Sequence, residues 1–170
     1  MQDPTDRVRD GKIIDPPHSM PWLVAILHNH KRQCSGSIIG KRHVLTAAHC
    51  YGMKMSVAVG AHNLNELGKV GKEVNVEKFE VISDEGPKEL SVEKFDWYAI
   101  EQIFTNRDIA IITLPEDVLN DHTLKVEKAM FGATSDTDCR DCSGTCNGTF
   151  DASGWGHDPI DPRKFYLQHR

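Results

Sequence analysis

Six short segments between Trp22 and Leu114 have the pattern of β-strands, and they follow one another closely. Each is rich in β-branched residues or alternates between apolar and polar residues, and turn-forming Gly, Asn, Asp and Lys residues separate them. The segments read WLVAILH, GSIIG, HVLTAA, MSVAVG, EVNVEKFEVI and DIAIITL. Short strands at this spacing are typical of antiparallel sheets, so the sequence predicts an all-β antiparallel barrel or sandwich.

The strand pattern weakens after Leu114. The stretch LPEDVLNDHTLKVEKAMF does not alternate, which indicates a crossing between two units. We therefore predict three parts. They are a polar leader or propeptide remnant at 1–7, a first β-barrel at 8–125, and the crossing with an incomplete second barrel at 126–170.

Charge and hydropathy exclude several classes of partner. The 20 basic and 25 acidic residues are scattered and give a net charge of -5, so no basic surface for nucleic acid or for an anionic membrane is predicted. The longest apolar runs, WLVAIL and IAIITL, are far shorter than the ~18 residues that a membrane-spanning helix needs. We expect neither a nucleic-acid partner nor a membrane partner.

The five cysteines are unevenly placed, because Cys34 and Cys50 stand apart whereas the other three lie within residues 139–146. An odd number cannot pair completely within one chain, so at least one cysteine needs another partner. Asn147 begins the triplet Asn-Gly-Thr, which fits a glycosylation acceptor. Together these features predict an oxidising compartment and a secreted protein.

Asp108 stands at the head of an apolar strand, in NRDIAIITL, where burying an unpaired carboxylate would cost roughly several kcal/mol. It needs a hydrogen-bond donor there, unless it is only a turn residue at the strand start. His49 is a candidate donor, because an Nδ1–H bonded to Asp108 would leave Nε2 free as a base. A histidine beside an apolar strand can equally be a core residue. As a pair, the two would form the base and the orienting group of a nucleophilic site.

Four segments occur in the order, and near the spacing, found in the trypsin/chymotrypsin-like serine proteases: PHSMPWLVAIL, CSGSIIGKRHVLTAAHC, NRDIAIITL and ASGWG. The chain resembles that family from about Val8 to Gly156. The resemblance implies two packed antiparallel β-barrels with a His-Asp-Ser triad between them, and hydrolysis of peptide bonds through an acyl-enzyme. It places His49 at the general base and Asp108 at the carboxylate that orients it.

The same resemblance implies further features. Cys34 and Cys50 match the disulfide that holds the histidine loop. Arg7–Val8 matches in part the activation cleavage of a zymogen, although the residues that follow depart from the family's pattern. Ala61 stands where calcium-binding members begin their loop with a glutamate, so we predict no calcium, and no other metal or cofactor. Protein or peptide substrates and protein protease inhibitors are the implied partners.

The resemblance stops before the serine of the triad. The family carries it in a Gly-Asp-Ser-Gly-Gly segment that also supplies the oxyanion-hole amides, and no such segment occurs in the 170 residues. We therefore expect this chain alone to be inactive, and to be a truncated, amino-terminal part of a longer protease. The alternative is a non-catalytic homologue that acts as a secreted binding or regulatory module.

The segment CRDCSGTC also departs from the family, which usually has one cysteine shortly before the Gly-Trp-Gly motif. Cys139 and Cys146 could form a disulfide if the loop between them turns tightly. Three thiolates with His157 would make a zinc site, but structural zinc sites more often use two separated ligand pairs. The sequence leaves the pairing of Cys139, Cys142 and Cys146 open.

Overall fold

The computed structural model describes residues 12–94, 107–130, 153–155 and 168–169. Within these ranges the chain forms eleven β-strands and three 3-10 helices, and it contains no α-helix. The strands are β1 (Lys12–Ile13), β2 (Leu23–His28), β3 (Lys31–Ile38), β4 (His43–Thr46), β5 (Met55–Val59), β6 (Lys72–Asn75), β7 (Lys78–Ser83), β8 (Gly86–Leu90), β9 (Ala110–Thr113), β10 (Ser153–Gly154) and β11 (Gln168–His169). The 3-10 helices are Ala48–Cys50, Leu64–Glu66 and Val118–Asn120.

Eight of the strands form one curled antiparallel sheet in the order β6-β5-β2-β3-β4-β9-β7-β8. A second sheet contains three two-residue strands in the order β1-β11-β10. Every strand pair in both sheets is antiparallel. The all-β antiparallel architecture predicted from the sequence is confirmed, while the predicted domain boundaries after residues 7 and 125 stay predictions.

The segment EVNVEKFEVI, predicted as one strand, forms two. Strand β6 pairs with β5, whereas β7 pairs with β8 and β9. Between them, the amide of Val76 donates to the carbonyl of Met55 and the amide of Glu77 donates to that of Thr113. The chain therefore changes its partner strand within two residues. An alternating pattern conceals such a change, because it reports which residues are buried and not which strand lies alongside.

Strand β8 has no strand signal in its sequence, GPKEL, because it contains a proline and two charged residues. It lies at the edge of the eight-stranded sheet, next to β7 alone. An edge strand tolerates proline, since one row of its backbone groups takes no part in the hydrogen-bond ladder. The two residues Asp84 and Glu85 join β7 to β8, and Gly86, the first residue of β8, has φ of 113°.

Strand β2 contributes to two apolar clusters. Val24 and Ile26 belong to the larger cluster, and Ala25 and Leu27 belong to a smaller cluster that contains Trp155. Burial of each Val, Leu, Ile or Phe side chain contributes about 1.5–3 kcal/mol, so these clusters hold the sheet in its curled form. The largest fully buried side chains of the first cluster are Phe79, Ile26, Ile38, Ile112 and Leu114. The second cluster also contains Ile14 and Ala58.

Candidate active site

Strands β4 and β9 are neighbours in the eight-stranded sheet, and Thr46 lies opposite Ala110 in their pairing. Because the two strands are antiparallel, residues that follow β4 and residues that precede β9 lie at the same end of the pair. His49 lies in the 3-10 helix just after β4, and Asp108 lies two residues before β9. The strand pairing therefore brings together the two residues that the sequence predicts as partners.

His49 and Asp108 make two hydrogen bonds. The ring Nδ1 of His49 lies 2.8 Å from Oδ2 of Asp108, and the backbone amide of His49 donates to Oδ1 at 2.9 Å. The bond from the backbone amide fixes the position of the carboxylate, in addition to the bond that holds the ring. Both side chains are about half exposed, at 56% for His49 and 53% for Asp108, so the pair lies open at the surface of the described part of the chain.

The pKa of Asp108 is lowered from its ordinary value, first by the hydrogen bond from the His49 side chain and then by the backbone amide of His49. The backbone of Ala48 contributes in the same direction. An ionised carboxylate only accepts hydrogen bonds, so Nδ1 of His49 carries the proton of the shared bond. In the neutral form of the ring, Nε2 is then a hydrogen-bond acceptor, which is the form that a general base requires.

A disulfide between Cys34 and Cys50 holds the loop that carries His49 against strand β3. The two Cα atoms are 6.0 Å apart, and both residues are buried, at 8% and 4% exposure. Nε2 of His28 lies 3.0 Å from the carbonyl oxygen of Cys50. The disulfide implied by the resemblance is therefore present, and a hydrogen bond from β2 holds the same turn.

A cavity of about 240 Å³ lies beside His49. Its walls join the disulfide loop to the short segment Ser153–Trp155, so residues far apart in the sequence meet there. The lining residues are Arg32, Cys34, Ser35, Ala47, His49, Cys50, Ser153, Gly154 and Trp155. Arg32 is the one formally charged side chain among these residues at neutral pH. Arg32 was not among the predicted site residues, because nothing in the strand pattern distinguishes it from an ordinary exposed residue.

Trp155 is 1% exposed, and its indole N–H donates to the carbonyl oxygen of His62 at 3.1 Å. This bond connects the Gly-Trp segment to the loop that follows β5. The sequence contains the Gly-Trp-Gly motif but does not predict this contact. A backbone carbonyl can accept a hydrogen bond whatever the residue type, so the identity of residue 62 does not indicate the partner of Trp155.

The ligand atoms of Cys34, His49 and Cys50 lie within 4.8 Å of one another. Both sulfur atoms are bonded to each other in the disulfide, so neither is a thiolate that could bind a metal ion. This cluster is therefore a consequence of the disulfide beside the histidine and does not form a metal site.

Several predicted positions lie outside the described residues. They are the activation site Arg7–Val8, the cysteines Cys139, Cys142 and Cys146, the glycosylation acceptor Asn147, and His157. Among the described residues, no helix is long and apolar enough to cross a membrane.

The family model described as Trypsin matches residues 11–168. The chain belongs to the trypsin family. Rat kallikrein-8 is 38% identical to this trypsin-family chain over 74 residues, which is 41% of the chain and 28% of the kallikrein. Mast cell protease 2 of Meriones unguiculatus is 35% identical over 118 residues, 65% of the chain and 42% of that protease. The chain thus spans less than half the length of these curated relatives.

Solved structures show the same fold. The structure described as neuropsin, a serine protease expressed in the limbic system of mouse brain, superimposes with a TM-score of 0.62 at 24% identity. The match covers 95% of this trypsin-family chain and 62% of the neuropsin chain. A mutant of human heparin binding protein (CAP37) matches with a TM-score of 0.59 at 18% identity. The family resemblance and the trypsin-like fold class predicted from the sequence are confirmed.

Proposed function

We propose that this trypsin-family chain carries the general base and the orienting carboxylate of a serine endopeptidase. The observation that supports the proposal is the double contact between His49 and Asp108, with Nδ1 2.8 Å from Oδ2 and the His49 amide 2.9 Å from Oδ1. In this role Nε2 of His49 accepts the proton of a serine hydroxyl. Asp108 keeps the ring in the correct tautomer and stabilises the imidazolium that forms.

The substrates in this proposal are proteins or peptides, and the reaction passes through an acyl-enzyme. The 170 residues contain no Gly-Asp-Ser-Gly-Gly segment, so the proposal assigns the nucleophile to none of them. The experiment must therefore identify the nucleophilic serine and also test the roles of His49 and Asp108.

The test uses the protein expressed from its complete coding sequence and treated with a serine-directed phosphonate, with the labelled peptide identified by mass spectrometry. We expect one labelled serine, and no labelling of the H49A variant. The D108N variant is expected to lose activity by about 10⁴-fold, the loss seen when the orienting Asp of a Ser-His-Asp triad is replaced.

Asp84→Asn is the matched control, because Asp84 is an exposed carboxylate that pairs with Arg107 and takes no part in the site. It should leave labelling and hydrolysis unchanged. A folded protein that takes up no label, with or without processing at its amino terminus, would overturn the proposal. It would favour a non-catalytic trypsin-family homologue that acts as a binding or regulatory module.

Secretion and activation as a zymogen are parts of the same proposal. The Cys34–Cys50 disulfide supports an oxidising compartment, where such bonds form and persist. We expect the active protein to begin at Val8 after cleavage behind Arg7, and to carry a glycan at Asn147. Amino-terminal sequencing and a mass shift after endoglycosidase treatment check these two sites. An active protein whose first residue is still Met1 would contradict the activation site.

A further inference from the structure

A second cavity, of about 600 Å³, lies between the turn that precedes β6 and the segment that contains Lys125. Its volume falls in the range of small-molecule binding sites. It shares no lining residue with the cavity beside His49. Four of its lining side chains are basic, namely His18, Lys69, Lys72 and Lys125. The remaining lining residues are Gly60, Gly68, Val70, Gly71, Thr123 and Leu124.

The charges around this cavity are not balanced. Lys72 is neutralised, because its Nζ lies 2.8 Å from Glu116 and 3.9 Å from Asp121. Within the described ranges, neither Lys69 nor Lys125 has a carboxylate at ion-pair distance. Among the described groups, the three lysines that line the cavity and the two carboxylates near Lys72 leave one excess positive charge. The whole chain has a net charge of -5, so this positive excess is a local feature of the cavity.

The turn that carries Lys69 has a fixed backbone. The amide of Gly68 donates to the carbonyl of Gly71, and the amide of Lys69 donates to that of Glu66. Gly71 has φ of 88°, and a Cβ at this position would lie 2.8 Å from the carbonyl oxygen of Val59. Only glycine fits there, so the turn that places Lys69 at the cavity is built into the fold.

His18 and Lys125 line the same cavity, and the charge of Lys125 acts on the His18 ring. Burial lowers the pKa of His18, and the positive charge of Lys125 lowers it further, followed by that of His62. The ammonium of Lys125 is therefore close enough to act on the ring of His18. With its pKa lowered, His18 is neutral near pH 7, where it can donate one hydrogen bond to a ligand.

We propose that this cavity binds a tetrahedral oxyanion group, a phosphate or sulfate, between the ammonium groups of Lys69 and Lys125. Lysine is an established phosphate ligand that acts as a point charge on a flexible stem. Gly68 and Gly71 line the cavity without side chains, which lets a ligand approach the backbone closely. The proposal is independent of the protease function, because no residue of the His49 site takes part.

The test measures binding of three probes by isothermal titration calorimetry. Inorganic phosphate represents the free anion, sucrose octasulfate represents a sulfated saccharide, and a tri-glutamate peptide represents carboxylates. We expect phosphate or sucrose octasulfate to bind, and K69A and K125A each to weaken that binding on the order of tenfold. K69R, which keeps the charge, should retain most of the affinity.

Lys78→Ala is the matched control, because it removes one positive charge from β7, outside the cavity, where Lys78 pairs with Glu89 at 3.2 Å. It should leave the affinity unchanged. Raising the salt from about 0.1 M to about 1 M should weaken binding, because the Debye length falls from about 10 Å to about 3 Å. Affinity for inorganic phosphate equal to that for sucrose octasulfate would show that a single free anion accounts for the site, whereas tighter binding of the octasulfate would point to an ester.

Three results would overturn the proposal. The first is no binding of either phosphate or sucrose octasulfate by the folded protein. The second is an equal loss of affinity in K78A and K69A, which would show that surface lysines attract the anion without a defined site. The third is tri-glutamate binding as tightly as the other probes, which would replace the oxyanion by an acidic peptide. Thermal unfolding of each variant confirms that the exposed lysines were removed without loss of the fold.

Discussion

Asp108 accepts hydrogen bonds from the ring and the amide of His49 although half of its side chain is exposed. Exposure screens the Coulomb attraction between the two groups, so geometry contributes more than charge to this pair. The two bonds come from one residue, and they define both the position and the rotation of the carboxylate. The pair is therefore orientated before any substrate is present.

The pH dependence of stability follows from the same pair. The folded-state pKa of Asp108 is below its ordinary value of 3.8, first because of the His49 side chain. A carboxylate with a depressed pKa stabilises the fold above its unfolded-state pKa, and this contribution is lost as the pH falls through the folded-state pKa. We expect the free energies of unfolding of wild type and D108N to differ near neutral pH and to converge in acid.

Urea denaturation from about pH 7 to about pH 2 measures this difference. The D84N variant removes an exposed carboxylate outside the pair and serves as the control. A gap between wild type and D108N that stays constant down to the lowest pH would contradict the assignment.

Gly52 is a second position where one residue determines a local arrangement. A Cβ there would overlap the imidazole of His28, at 2.5 Å from Nδ1, while that ring lies 3.0 Å from the Cys50 carbonyl. We expect G52A to lower the free energy of unfolding by about 1–3 kcal/mol, the usual cost of overpacking. In an H28A background the same change should cost much less, because the overlapping ring is gone. Equal costs in the two backgrounds, measured by urea denaturation, would rule out this clash as the cause.

At the scale of residues, the sequence was informative where polar groups interrupt apolar strands. His49 and Asp108 stand out because a titratable residue beside a buried strand needs a partner. His28 and His62 do not stand out, because their contacts involve the backbone carbonyl of Cys50 and the indole of Trp155, respectively. Such contacts depend on where distant segments meet, and the residue types alone do not encode that.

At the scale of elements, the loop between β3 and the 3-10 helix at 48–50 is closed by the disulfide, with a sequence separation of 16. A cross-link over a loop of this length stabilises the fold by about 3 kcal/mol if its main effect is to restrict the unfolded chain. We expect the double variant C34A/C50A to lose about that much in urea denaturation. A loss below about 1 kcal/mol would show that the loop is already held by other contacts, such as the His28 bond.

Strand prediction succeeded where alternation coincided with a single partner strand. The segments for β2, β4, β5 and β9 were located within a few residues of their observed ends. The β6–β7 segment was not, because one continuous pattern covers two strands with different neighbours. Strand β8 lacked a pattern because an edge strand is free to carry proline and charge.

At the scale of the whole molecule, Trp155 joins the Ser153–Trp155 segment to the eight-stranded sheet. It packs with Ile14, Ala25, Leu27 and Ala58, and its indole N–H binds the His62 carbonyl. We expect W155F to cost about 0.5–1.5 kcal/mol through the lost hydrogen bond, and W155A to cost about 3–5 kcal/mol through lost packing as well. Urea denaturation measures both variants.

Trp22→Phe is the control for the tryptophan variants, since Trp22 is only half-buried and belongs to neither apolar cluster. It should change the free energy of unfolding less than W155A does. If W155A proved no more destabilising than W22F, the small cluster would contribute little to holding the segment in place.

The fold class of the whole molecule could be predicted from the sequence, but the pairing of its strands could not. Many short alternating strands indicate an antiparallel sheet, and the four family motifs indicated its type. The pairing of β4 with β9, across more than 60 residues of sequence, could not be obtained from strand patterns, because alternation has no information on distant partners. The cavity lined by Lys69 and Lys125 could not be predicted for the same reason, because the sequence does not show which scattered charged residues lie close together in the fold.

Strand β2 has apolar contacts on both faces, with Val24 and Ile26 in one cluster and Ala25 and Leu27 in the other. A strand with one solvent-exposed face tolerates polar substitutions at every second position. This strand has no such position between residues 24 and 27, all of which are at most 2% exposed. In a saturation mutagenesis experiment, polar substitutions would therefore be rejected at all four adjacent positions, and not only at every second one.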